Sequence, residues 1–138
     1  MNASIVGKFA ATRRQSVDFC EPLNLEDYCL QADDFVSPPK WHLAHTTWFF
    51  ETFLLKPFLE GYQTPEPRYE VLFNSYYNNA GTRIKRHRRG DLTRPTVEEV
   101  YKYRQFVDHE IAKLLDKPLP VEALELIELG IQHEQQHQ

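Results

Sequence analysis

Prolines at positions 22, 38, 39, 57, 65, 67, 95, 118 and 120 constrain this chain more than any other residue type, because proline breaks the interior of a helix or of a paired strand. In four of the proline-free stretches that they leave, the apolar residues recur at steps of three and four. The first, from about Ala3 to Cys20, carries Val6, Phe9, Arg13, Val17 and Cys20 on one face and stops before Pro22. The second opens at Ser37-Pro38-Pro39, where serine can cap a helix and proline suits the first turn. It runs through Trp41, Ala44, His45, Trp48, Phe49 and Phe53 to Pro57, so a broad aromatic face must be buried. The third spans about 96 to 116: Thr96 and Glu99 form a capping-box pattern, followed by Val100, Tyr103, Val107, Ile111 and Leu114. The fourth runs from Val121 to the C-terminus with Leu124, Ile127 and Ile131 on one side.

The segment from Leu59 to Arg94 holds no period and is punctuated by Gly61, Pro65, Pro67, Asn74, Asn78, Asn79, Gly81 and Gly90. Tyr69, Val71, Phe73, Tyr76 and Tyr77 make it too aromatic for a solvated linker, so it is expected to pack over the helices. Four helical patterns without a strand pattern predict an all-α fold: an antiparallel four-helix bundle over residues 1–138 as one domain, with a long irregular connection between helices two and three.

With 41% apolar residues the chain has the material for a core, which excludes global disorder. Its most apolar stretch, Trp48 to Leu59, is interrupted by Glu51, Thr52, Lys56 and Pro57, far short of the roughly 18 apolar residues of a membrane span. The N-terminus lacks the order of a secretory signal, and Cys20 and Cys29 make neither a metal spacing nor a disulfide framework. A cytoplasmic protein with free thiols is expected.

The fourth helix ends His133-Glu134-Gln135-Gln136-His137, which places two imidazoles one turn apart on one helix face, a spacing that can chelate a metal ion. Ala123, Leu126 and Gly130 lie below them on that face, pointing both rings into the helix seam. A third ligand must come from elsewhere. On helix two, His42 and His45 sit about 60° apart around the axis. His45 has Trp41, Trp48 and Phe49 as its neighbours, the most apolar surface in the chain, whereas His42 has Thr46 and Pro38, so His45 is the better ligand. His87, in a basic loop, and His109, on helix three, have no place at the site. The alternative is that these histidines are structural and that the bundle serves partner binding. The string also satisfies H-E-x-x-H, with Glu134 as the general base of a zinc peptidase, but such enzymes normally draw a third ligand from downstream, where only Gln138 follows. Three neutral imidazoles would leave a divalent ion its full charge, which suits thiol activation, and they accept Fe, Zn, Ni or Cu alike.

Ser37-Pro38-Pro39-Lys40-Trp41-His42-Leu43-Ala44-His45-Thr46-Thr47-Trp48-Phe49-Phe50-Glu51 resembles the second-helix signature of ergothioneine-biosynthesis sulfoxide synthases. Phe73-Asn74-Ser75-Tyr76-Tyr77-Asn78, Gly81-Thr82-Arg83, Arg94-Pro95-Thr96 and the string from His133 to His137 follow in that family's order. The resemblance implies an N-terminal DinB-like four-helix bundle and a non-haem iron(II) centre held by His45, His133 and His137, with Zn or Ni as possible substitutes for iron. It implies a reaction in which oxygen is used to join the thiol of γ-glutamylcysteine or cysteine to the imidazole of hercynine as a sulfoxide. Family members carry a C-terminal domain resembling formylglycine-generating enzymes, which supplies much of the substrate pocket and a catalytic tyrosine. This chain looks like the N-terminal portion of such an enzyme, and residues 1–138 alone are expected to be inactive. A stand-alone DinB-like metal-dependent thiol transferase is the competing expectation.

Arg83, Lys85, Arg86, Arg88 and Arg89 crowd five of the 16 basic residues into seven positions of a chain whose net charge is −4. Arginine forks match the carboxylates of both proposed substrates, and Arg83 and Arg86 resemble in spacing the arginines that hold the thiol substrate in the family. A solvated loop or a docking surface for the further domain is the plainer expectation. An acidic domain without a broad basic face gives no reason to expect nucleic acid.

Overall fold

A computed structural model describes residues 3–33, 36–74 and 94–138, and among these the chain is helical, with no strand beyond an isolated bridge between Asp33 and Val36. Helix α1 is Ala3–Cys20 and α2 is Pro39–Phe50, which continues through a π-helical turn at Glu51–Leu55 and a last α turn at Lys56–Phe58. A short α3, Tyr69–Phe73, precedes α4, Val97–Leu115, and α5, Val121–His137. Helix α2 packs against α1, α3, α4, α5 and a 3₁₀ turn at Leu25–Cys29, and α1 packs along α5.

The helix boundaries follow the proline punctuation with two differences. Ser37 does not cap α2: Pro38 occupies the cap position in extended conformation, Pro39 opens the first turn, and Ser37 is buried. Pro57 does not end the rod either, because the π turn before it carries the helix past it to Phe58. The capping box of α4 forms as the sequence predicts, Thr96 Oγ1 accepting the Glu99 amide at 3.1 Å while the Glu99 carboxylate accepts the Thr96 amide at 2.8 Å.

Burial of α2 is wider than one aromatic face, since ten of its twelve residues are buried. A helix enclosed on all sides must satisfy its polar side chains internally, and that requirement shapes the surroundings. Along α1 the buried face is Phe9, Thr12, Arg13, Ser16 and Cys20, turned from the predicted stripe so that Val6 is exposed. The turn brings Arg13 and Ser16 inward to partners described below. On the other side of α2, the Glu70 carboxylate of α3 accepts Trp48 Nε1 at 3.0 Å, Thr52 Oγ1 at 3.2 Å and Lys56 Nζ at 3.2 Å. This clamp fixes α3, a helix absent from the sequence expectation, against α2. Tyr69 and Phe73 of α3 are buried, so that part of the aromatic connection does pack over the helices, whereas Val71 is exposed and Tyr76 and Tyr77 lie outside the described residues.

Gly130 sets the spacing of α5 on α2: a Cβ there would stand 2.5 Å from Phe50 Cε1 and 3.1 Å from Phe49 Cε1. No side chain fits between the two helices at this level, and His133 follows one turn later.

Candidate metal centre

His45 is fully buried at the middle of α2, with its ring stacked between Trp41 (4.4 Å between centroids, 12° between planes) and Trp48 (5.5 Å, 17°). Its Nδ1 lies 2.6 Å from the carbonyl oxygen of Phe73, the last residue of α3. A carbonyl only accepts, so Nδ1 carries the proton and Nε2 keeps its lone pair. That Nε2 faces Nε2 of His133 at 3.1 Å. His133 in turn stacks on Phe49, with centroids 4.6 Å apart. Burial, and then the neighbouring His137, push its pKa down to about 4, so the ring is a neutral donor at physiological pH. His137 closes the group, its centroid 4.7 Å from that of His133 and 4.8 Å from that of His45.

One nitrogen from each of His45, His133 and His137 lies within 4.8 Å of the others. Two ligands about 2.1 Å from one ion stand roughly 3.0–3.4 Å apart at tetrahedral to octahedral angles, and the 3.1 Å between His45 and His133 falls in that range. Opposed ligands span at most about 4.2 Å, so a pair at the 4.8 Å limit closes on an ion by about 0.6 Å of ring movement. A ligating imidazole normally donates its other N–H to a carbonyl or carboxylate, which is what Phe73 provides for His45. The donor set fits a divalent ion of borderline softness and does not distinguish iron from zinc or nickel.

Glu134, between the two histidines in sequence, points away from them. Its Oε1 accepts Arg13 Nη1 at 2.9 Å, and its Oε2 accepts Arg104 Nη2 at 3.1 Å and Ser16 Oγ at 2.5 Å. Burial alone would raise its pKa, but Arg13 and Arg104 outweigh burial and lower it. Arg13 also donates to Asp108 at 2.6 Å and to Thr47 at 2.8 Å, while Arg104 reaches the Leu43 carbonyl at 3.0 Å. One buried network thus joins α1, α2, α4 and α5 and sets the rotation of α5 that delivers His133 and His137 to α2. With both oxygens engaged in charge-assisted bonds, Glu134 is not placed to act as a general base, so the peptidase alternative fails on geometry. The sequence put Arg13 on the inner face of α1 but gave no signal for its partner, because the ion pair joins residues 121 positions apart.

His42, set aside as a ligand by the sequence, lies one position out: its Nδ1 is 2.8 Å from Nδ1 of His137. Both rings form part of the wall of a cavity of about 570 Å³ that also touches Phe19, Cys20, Leu23 and Leu30. His109 is exposed on α4 and takes no part. His87 and the proposed substrate-binding Arg83 and Arg86 lie outside the described residues. Cys20 and Cys29 are free thiols, as expected. No described helix is long and apolar enough to cross a membrane.

Fold and site together define a helical domain that gathers imidazoles from two helices into a cluster that could hold a metal ion. The family model described as DinB superfamily matches residues 8–138, and the chain belongs to that superfamily. DinB-like domains bind divalent metals. No curated protein matches the chain.

Proposed function

We propose that this chain is the metal-binding domain of an oxygen-dependent iron(II) sulfoxide synthase that joins a cysteine-type thiol, γ-glutamylcysteine or cysteine, to hercynine. The observation that carries this is the convergence of His45 from α2 with His133 and His137 from α5, on a helix whose string from Ser37 to Glu51 resembles that family. His45 through Nε2, with His133 and His137, would hold iron(II), which when bound supplies the redox chemistry for using oxygen. In balance, one C–H and one S–H are lost, one C–S and one S=O bond form, and O₂ is reduced, one atom going to the sulfoxide and one to water.

The chain's own residues prepare that chemistry. The Phe73 carbonyl fixes the tautomer of His45, and Trp41, Trp48 and Phe49 hold two of the rings by stacking and exclude water from them. The network around Glu134 holds α5 in register. Arg83 and Arg86 are proposed to take the carboxylates of the thiol substrate. We further propose an antiparallel four-helix bundle arrangement, a single metal-binding domain over residues 1–138, a cytoplasmic location, and a formylglycine-generating-enzyme-like partner domain that completes the pocket. Without that domain the two substrates lack near-attack positioning.

The test loads the chain with iron(II) and adds γ-glutamylcysteine, hercynine and oxygen, following oxygen uptake and product mass. Residues 1–138 alone should make no sulfoxide, and the same chain joined to a formylglycine-generating-enzyme-like domain of the family should make it. Oxygen-independent transfer of the thiol to an electrophile by the metal-loaded chain would instead favour a stand-alone thiol transferase.

A further inference from the structure

We infer that His42 is a positioning residue: it accepts the Nδ1–H of His137 and thereby holds His137 as a metal donor through Nε2. The inference rests on the metal-binding proposal. Two ring nitrogens 2.8 Å apart form a hydrogen bond only if one carries a proton and the other a lone pair. If His42 donated, Nδ1 of His137 would be the acceptor and the proton of His137 would sit on Nε2, which could then bind no metal. If His137 donates, its Nε2 lone pair is fixed and available. The second arrangement repeats what the structure shows at His45, where Nδ1 is tied to the Phe73 carbonyl and Nε2 faces the cluster. At His137 the His42 imidazole stands at Nδ1, as the Phe73 carbonyl does at His45.

The surroundings of His42 support positioning over ligation. Its ring meets Trp41 edge to face at 5.5 Å and is half-buried on the cavity wall, where His137 stands beside it. His45, His133 and His137 gather within 4.8 Å without it. The four imidazoles therefore divide into three that share a centre and one that steers the outermost of them. His137 sits on the last turn of α5 and is less buried than His45, so it gains most from an orienting partner. Outer-shell partners of this kind are worth roughly 10- to 100-fold in metal affinity.

The test is a cobalt(II) titration of the whole 138-residue chain by visible absorption, with the unsubstituted protein, His42→Phe and His42→Asn side by side. Phenylalanine keeps the ring and removes the acceptor, while asparagine places an oxygen acceptor close to the position of Nδ1. His42→Phe should weaken cobalt(II) binding about 10- to 100-fold. His42→Asn should bind close to the unsubstituted chain with the same d–d band pattern, and metal-free unfolding curves confirm that both variants fold. Equal affinity and spectrum in His42→Phe would overturn the positioning role. So would loss of a ligand's spectral contribution in both variants, which would make His42 a direct ligand. Failure of the unsubstituted chain to bind cobalt(II) would overturn the metal proposal itself and the role of His42 with it.

Discussion

Replacing Gly130 by alanine sets two known effects against each other. Exchanging glycine for alanine inside a helix favours folding by about 0.8–1.0 kcal/mol. The added methyl, however, would stand 2.5 Å from Phe50 Cε1 and 2.9 Å from Cζ, where carbon contacts settle at about 3.5–4.0 Å. Phe50 is fully buried and meets Phe9 edge to face at 5.0 Å, so its ring has nowhere to swing and the helices must part by about 1 Å. A 2.5 Å contact with a ring that cannot move belongs in the upper half of the roughly 1–3 kcal/mol range for overpacking, about 2–3 kcal/mol, which leaves a net loss of about 1–2 kcal/mol after the propensity gain. At roughly 4 °C per kcal/mol for a domain of this size, Tm should fall by about 4–8 °C. The same displacement moves His133 and His137 away from His45, so cobalt(II) affinity should fall with stability. Thermal unfolding by circular dichroism measures the first effect and metal titration the second. Trimming the obstacle gives an internal control: the cost of Gly130→Ala should be smaller in a Phe50→Leu background, with a coupling of about 0.5–3 kcal/mol. A Gly130→Ala protein that is as stable as its parent and binds metal equally well would refute the close α2–α5 contact as the device that sets the site.

Glu134→Ala leaves two buried guanidinium groups facing each other, and urea unfolding should show a loss of about 3–5 kcal/mol; an unchanged midpoint would contradict the network's role in holding α5. Burial, and then Glu51, push the Tyr103 hydroxyl well above the ordinary tyrosine range, and Tyr62 is raised by the same two causes. Because the folded pKa values lie above the unfolded ones, this stabilisation is complete below the ordinary tyrosine range and is lost as pH rises through the folded values. Alkaline titration followed by tyrosinate absorbance should therefore show a group of tyrosines that ionise only as the helical signal collapses, and Tyr103→Phe should remove one of them. Ionisation of all tyrosines in the ordinary range with the helices intact would contradict their burial against Glu51. Glu70→Ala should release α3 from Trp48, Thr52 and Lys56, removing the Phe73 carbonyl from His45 and weakening metal binding about 10-fold or more while α4 and α5 stay helical.

The helices were legible because proline and a three-to-four apolar step are local signals, and Val100, Tyr103, Val107, Ile111 and Leu114 are all buried as their spacing requires. The convergence of three histidines was legible for a related reason: the one-turn spacing of His133 and His137 is local, and the apolar neighbours of His45 marked its face. What the sequence could not express was pairing at a distance. Arg13 lay on the inner face of α1 with no sign of its partner, Arg104 looks like an ordinary surface charge until the fold brings the two to Glu134, and Glu134 drew attention only as a base. His42 was set aside by its polar neighbours along α2, yet its partner comes from α5. The orienting acceptor for His45 is a backbone carbonyl, to which side-chain patterns are blind.

The central claim is that His45, His133 and His137 together hold one metal ion. Metal analysis after anaerobic loading with iron(II) and gel filtration tests it directly, comparing the unsubstituted chain with each alanine variant and with the triple His45→Ala, His133→Ala, His137→Ala variant. The account predicts about one ion per chain for the parent, a partial loss for each single variant and none retained by the triple. Equal metal content in the parent and the triple variant, or a parent that retains none, would contradict it.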